Sequence, residues 1–129
     1  VSIKPKTPGI HHLTLRVTNY TRAKEFYSNT LGFDIVLEQP NLFIFFAGGT
    51  GIAVRGPESQ TGSNSFDPYS AGMDHVALGC EDHDELERVA QALTDYGIEN
   101  TGVKLDETLG KDYVAFKDPD RISWEFYMT

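Results

Sequence analysis

The chain carries one pattern twice. Gly9-Ile10-His11-His12-Leu13-Thr14-Leu15-Arg16-Val17 lies over Gly72-Met73-Asp74-His75-Val76-Ala77-Leu78-Gly79-Cys80 at a constant offset, with a histidine fourth in each copy. Each stretch then meets a helix-like run, closed by Leu31-Gly32-Phe33 in the first copy and Tyr96-Gly97-Ile98 in the second. An internal repeat constrains the fold more than any local propensity does. It requires two similar modules, with His12 and His75 at symmetry-related places. Positions paired across a pseudo-two-fold axis can converge on one point, so a shared site is expected between the modules.

The periodicity gives the same element order in both copies. Residues 11–18 alternate, with Leu13, Leu15 and Val17 on one face and His12, Thr14 and Arg16 on the other, the period of a half-buried strand. Asn19 is placed to cap a helix whose apolar residues are Ala23, Phe26, Tyr27 and Leu31, with Gly32 as its stop. Strands are expected at 33–38, 42–47 and 51–55, so residues 9–56 read as a βαβββ module. Residues 57–71 are polar and turn-rich, a connector. Residues 72–129 repeat the order. A strand is expected at 74–80, followed by a helix opened by an Asp82/Glu85 capping box. Its apolar stripe is Leu86, Val89, Ala90, Leu93 and Tyr96, and strands near 101–105, 112–117 and 122–128 follow it. The expected fold is therefore α+β: a single domain over 1–129, built from two βαβββ modules that form a mostly antiparallel sheet.

Composition removes several function classes. A formal charge of −8 repels a phosphate backbone, so no nucleic acid is expected as a partner. No apolar run is long enough to span a membrane, no signal-peptide pattern is visible, and no membrane partner is expected. The single Cys80 excludes an internal disulfide framework and suits a reducing cytoplasm.

Strand alternation selects the candidate site. With Leu13, Leu15 and Val17 toward the helix, His12 faces the other, concave side. Val76, Leu78 and Cys80 place His75 there too, and Trp124, Phe126 and Met128 leave Ser123, Glu125 and Tyr127 on that side. Two imidazoles and one carboxylate from three strands have the composition of a facial triad, which leaves positions on a metal open to substrate or oxygen. The donor set suits a divalent ion: Fe, Mn, Zn, Ni or Co. The bland alternative is three solvated polar residues on an exposed sheet face. For a lone histidine that alternative prevails, but the repeat and the shared parity favour the ligand reading.

The strand His12-Leu13-Thr14-Leu15-Arg16-Val17, the run Ala23-Lys24-Glu25-Phe26-Tyr27 leading to Leu31-Gly32-Phe33, and Asp118-Pro119-Asp120 before Trp124-Glu125-Phe126 resemble the vicinal oxygen chelate superfamily. That group includes glyoxalase I, extradiol dioxygenases, fosfomycin-resistance enzymes and bleomycin-resistance proteins. The resemblance implies a U-shaped sheet around a divalent metal, with ligands at the positions of His12, His75 and Glu125. It also implies a homodimer, since the family often builds its cavity across two subunits. Two departures narrow the chemistry. The further carboxylate of glyoxalase I falls at Ala53, which removes a ligand and a proton shuttle. The tyrosine usual in extradiol enzymes falls at Ala115, with Tyr113 on the same face as the alternative catalytic hydroxyl. Arg121 replaces the usual glycine after Asp-Pro-Asp, and a type I turn is expected to accept it.

The remaining candidates concern the substrate. Arg16 and Arg55 share the parity of the site and would hold an anionic group in bidentate fashion, unless they pair with acids at the rim. Phe43 and Phe45, or Leu42, Ile44 and Phe46 on the other parity, would line the cavity. Phe45 and Tyr127 are the candidate aromatic substrate contacts, and Lys117 is a weaker anion contact. His11 is expected to point away from His12. The expected function is a metal-dependent enzyme acting on a small anionic, oxygen-chelating molecule by dioxygenase-like or lyase/addition chemistry. The competing readings are a metal-free small-molecule-binding protein of the bleomycin-resistance type and a dimeric interaction module with a decayed site.

Overall fold

The computed structural model of the chain describes residues 2–58 and 65–129. It divides into two compact units, one ending at Pro57 and the other beginning at Glu58. Residues 59–64 of the expected connector lie outside the described residues.

The first unit holds β1 (His12–Arg16), α1 (Tyr20–Lys24), β2 (Ile35–Gln39), β3 (Leu42–Ala47) and β4 (Thr50–Arg55). Its four strands lie in the order β1-β4-β3-β2, with β1 parallel to β4 and the other pairs antiparallel. The second unit holds β5 (Val76–Cys80), α2 (His83–Asp95), β6 (Lys104–Asp106), β7 (Lys111–Lys117) and β8 (Ser123–Met128). Its sheet repeats the arrangement as β5-β8-β7-β6, again with one parallel pair, β5 and β8. The fold is α+β, with a βαβββ order in each unit. Among the described residues no helix is long and apolar enough to cross a membrane.

Alternation sorts the first sheet cleanly. Leu15 pairs with Val54, Val54 with Phe43, and Ile52 with Phe45, so these side chains share one face, and all are buried. Tyr27 packs onto them, stacked on Phe45, and Phe33 stacks on Phe45 with 4.5 Å between ring centroids. Asn19 caps α1 by accepting from the Arg22 amide, as expected. The second half of the expected helix differs: Glu25–Thr30 is π-helical, and the Leu31 amide donates to the Phe26 carbonyl. Both consecutive rings of this wider turn, Phe26 and Tyr27, are buried in the core.

In the second unit Trp124 pairs with Phe116 on one side and Val76 on the other, and it is almost wholly buried. Leu86, Ala90 and Leu93 of α2 supply the other half of this core. Three expectations need correction. Tyr96 is exposed, because it forms the C-cap of α2 and no longer follows the helical stripe. Asp82 does cap α2, but it accepts from the Asp84 amide, and Glu85 spends its carboxylate on Arg88 in place of a capping box. Arg121 sits at φ +69°, in the left-handed region, so the turn uses the glycine-like conformation that a plain type I turn avoids.

Candidate metal centre

Glu125 is the middle of an unusual neighbourhood in the second unit. It lies on the sheet face away from α2, in register with Ala77 of β5 and Ala115 of β7. Two methyl groups are all that its flanking strands place beside it, so the carboxylate is half-buried yet bordered by space. His75 stands one residue before β5 and not within it, and its Nε2 is 3.3 Å from Glu125 Oε1. Its other ring nitrogen, Nδ1, is 2.7 Å from Asp74 Oδ1.

Two cavities flank this pair, and both include it in their walls. One, of about 410 Å³, also reaches Asp74, Asn100, Lys117 and Arg121. The Lys117 ammonium donates to Ser123 Oγ there. The other, of about 490 Å³, is walled by Asp106, Leu109, Tyr113 and Tyr127. Tyr113 and Tyr127 stack with 6.2 Å between centroids, and the Tyr127 hydroxyl donates to Asp106 Oδ2 at 2.6 Å.

The electrostatics are those of a negative pocket. Burial pushes the Glu125 carboxyl up; the His75 ring opposes this, and the charges of Asp106 and Asp74 add to it. The Tyr127 phenol is pushed up to about 12 by burial, by its hydrogen bond to Asp106 and by the nearby carboxylates. The Asp106 carboxyl is lowered, first by the Tyr127 hydroxyl and then by the Thr108 amide.

These groups fit a divalent cation. Two ligands bonded to one ion at about 2.1 Å each stand roughly 3.0–3.4 Å apart at octahedral to tetrahedral angles. The observed Nε2–Oε1 separation of 3.3 Å falls in that interval. If Nδ1 carries the ring proton and gives it to Asp74, Nε2 presents a lone pair beside the Glu125 oxygen, an arrangement a cation would relieve. Among the described residues, no three His, Cys, Asp or Glu side chains are gathered as a metal cluster. The unit brings together His75 and Glu125, and His12 belongs to the first unit.

In that first unit His12, Thr14 and Arg16 lie on the sheet face away from α1, together with Gly51, Ala53 and Arg55. His12 is exposed, and His11 meets it, with Nδ1 to Nδ1 at 2.9 Å and the rings edge to face. The expectation that His11 points away is therefore corrected: it precedes the strand, where alternation no longer governs direction. Arg16 donates to the Gly56 carbonyl at 2.7 Å, so part of its fork is engaged. Arg55 is exposed. Phe45 is withdrawn as a substrate contact, because it is fully buried between Tyr27 and Phe33 on the helix side. The other parity, Leu42, Ile44 and Phe46, lies on the face of His12.

The sequence pattern of the Glyoxalase/Bleomycin resistance protein/Dioxygenase superfamily matches residues 9–126. The chain belongs to that superfamily. Among its relatives, the uncharacterized protein YwkD of Bacillus subtilis (strain 168) is 30% identical over 130 residues, covering 92% of this chain and 95% of that one. The metallothiol transferase FosB of Staphylococcus haemolyticus is 34% identical over 76 residues, 59% of this chain and 52% of FosB. Among solved structures, SMU.1112c superposes with a TM-score of 0.78 at 26% identity, over 95% of this chain and 99% of that one. The glyoxalase family protein from Enterococcus faecalis gives 0.74 at 26%, over 93% and 97%.

Within this superfamily frame, three features of the site escaped the sequence reading. Ala77 as the second small neighbour of Glu125 and the Tyr127–Asp106 bond depend on strand register, and Asp74 as the partner of His75 depends on the backbone ahead of β5. The one signal available was the Asp-His dipeptide at Asp74-His75.

Proposed function

We propose that the chain is a divalent-metal-dependent enzyme acting on a small anionic molecule that chelates the ion through adjacent oxygens. His75 and Glu125 would hold the ion, with His12 as the third ligand on the strength of strand parity and the superfamily resemblance. The observation that carries this reading is the His75–Glu125 pair, spaced at 3.3 Å as neighbouring ligands are and placed near the carboxylates of Asp74 and Asp106.

The bound ion would supply Lewis-acid polarisation of the substrate's oxygens. The protein's own groups would do the rest. Tyr113, on the cavity wall, would donate a hydrogen bond or a proton to a substrate oxygen from its hydroxyl. Tyr127, with its hydroxyl committed to Asp106, would offer its ring as an apolar wall. Arg16 and Arg55 would orient the anionic group. Ala53, standing where a further carboxylate would be needed, speaks against a glyoxalase-type isomerisation. The partial likeness to a protein named a metallothiol transferase favours addition or transfer over ring cleavage.

The test is elemental analysis of protein prepared without chelator or metal-affinity resin, beside Glu125→Ala. Near-stoichiometric divalent metal, lost in the variant, supports the reading. No metal in either, after anaerobic reconstitution with Fe(II) or Mn(II), sinks it in favour of a metal-free binding protein.

A further inference from the structure

We propose that Asp74 is the positioning residue of the site: it fixes the tautomer and the orientation of the His75 ring, so that Nε2 is the nitrogen presented beside Glu125. The inference deepens the metal reading above and rests on it for its consequence, though not for its geometry.

Three observations lead to it. Asp74 Oδ1 lies 2.7 Å from His75 Nδ1, within the range of a charge-assisted hydrogen bond. His75 Nε2 lies on the opposite edge of the ring, 3.3 Å from Glu125 Oε1, so the imidazole is strung between two carboxylates with different duties. Finally, His75 precedes β5, so the hydrogen-bonded ladder of the sheet does not itself fix where the ring points. Something else must hold it, and Asp74 is the side chain within reach of its Nδ1.

A neutral imidazole has one N–H and one lone pair, and the hydrogen bond at one nitrogen decides which is which. An acceptor-only carboxylate at Nδ1 demands the proton there and leaves the lone pair at Nε2. The same contact raises the donor strength of Nε2 toward a cation. Asp74 itself need not touch the ion. It is largely exposed, so its hold on the ring works through hydrogen-bond direction more than through a buried charge.

The experiment compares wild type, Asp74→Asn and Asp74→Ala by two readouts. The first is the ¹⁵N shifts of the His75 ring in the metal-free protein, at a pH where the ring is neutral. The second is Mn²⁺ affinity by titration calorimetry. Wild type should show the proton on Nδ1, and Asp74→Ala should shift it toward Nε2 and weaken Mn²⁺ binding about 10- to 100-fold. Asp74→Asn, which can still accept at Nδ1, should keep the tautomer and lose less affinity. An unchanged tautomer in Asp74→Ala overturns the proposal, and so does a shifted tautomer with unchanged Mn²⁺ affinity. Failure of the wild type to bind Mn²⁺ overturns the metal reading alone, because the ring shifts still decide whether Asp74 sets His75. An amide spectrum matching wild type confirms that each variant is folded.

Discussion

Laid over one another by strand register, the two units differ most at one place. In the first, Thr14 of β1, Ala53 of β4 and Ile44 of β3 stand side by side; in the second, Ala77, Glu125 and Ala115 hold the same places. The first unit packs a small central residue between larger ones, and the second packs a large central carboxylate between two methyls. One backbone plan thus leaves space beside the central residue of the second unit, where two cavities flank Glu125. The histidines follow the same division: His12 meets the ring of His11, and His75 meets the carboxylate of Asp74.

Several substitutions would break or sharpen that contrast. The largest effect is expected from Phe45→Ala, which removes a fully buried ring stacked on Tyr27 and Phe33. It should cost about 3–5 kcal/mol in urea unfolding. A loss below about 1 kcal/mol would mean that this face is not the core of the first unit. Next comes Ala53→Glu, which copies the second unit's central residue into the first. Ala53 is only 7% exposed between Thr14 and Ile44. Crowding and a buried carboxylate should cost about 1–3 kcal/mol. A stable variant with added metal affinity would show instead that the two faces are interchangeable.

A smaller effect, of opposite sign, is expected from Arg121→Gly. The hairpin of the first unit turns through Gly48 at φ +57°, and that of the second holds Arg121 at φ +69°. Relief of the left-handed strain, offset by the entropy of glycine, should raise the thermal midpoint by the equivalent of up to about 1 kcal/mol. A fall would reveal that the guanidinium supports the turn. Smallest is Ala115→Ile, which gives the second unit the residue found at the matching place in the first. With space beside Glu125 to receive it, stability should change by less than about 1 kcal/mol. A loss of several kcal/mol would show that the wall beside Glu125 has no room for a larger side chain.

How much of this was legible in the sequence follows from which physics was local. Alternation in Leu13-Thr14-Leu15-Arg16-Val17 fixed a face because a period of two is a property of one strand. Asn19 and Asp82 marked helix starts because a side chain caps its own next turn. Phe45 could not be placed, since a continuous apolar run from Leu42 to Phe46 has no polar residue to break the tie between parities. The π-helical turn was hidden because Phe26 and Tyr27 satisfy an α-helical stripe almost as well. Of the candidate site, the face of Glu125 was readable by parity and His75 was marked by the repeat. Asp74 was not, because it acts ahead of the strand, where period two has no force.

Cys80 closes β5 at the joint with α2, is only 6% exposed, and donates its thiol to the Asp82 carbonyl at 3.3 Å. A buried thiol reacts only when the structure around it opens. With one cysteine in the chain, the rate of its modification by a neutral thiol reagent is a clock for the opening of that joint. The joint belongs to the unit that carries His75 and Glu125, so the same clock, run with and without Mn²⁺, reads out how tightly a bound cation locks its own scaffold.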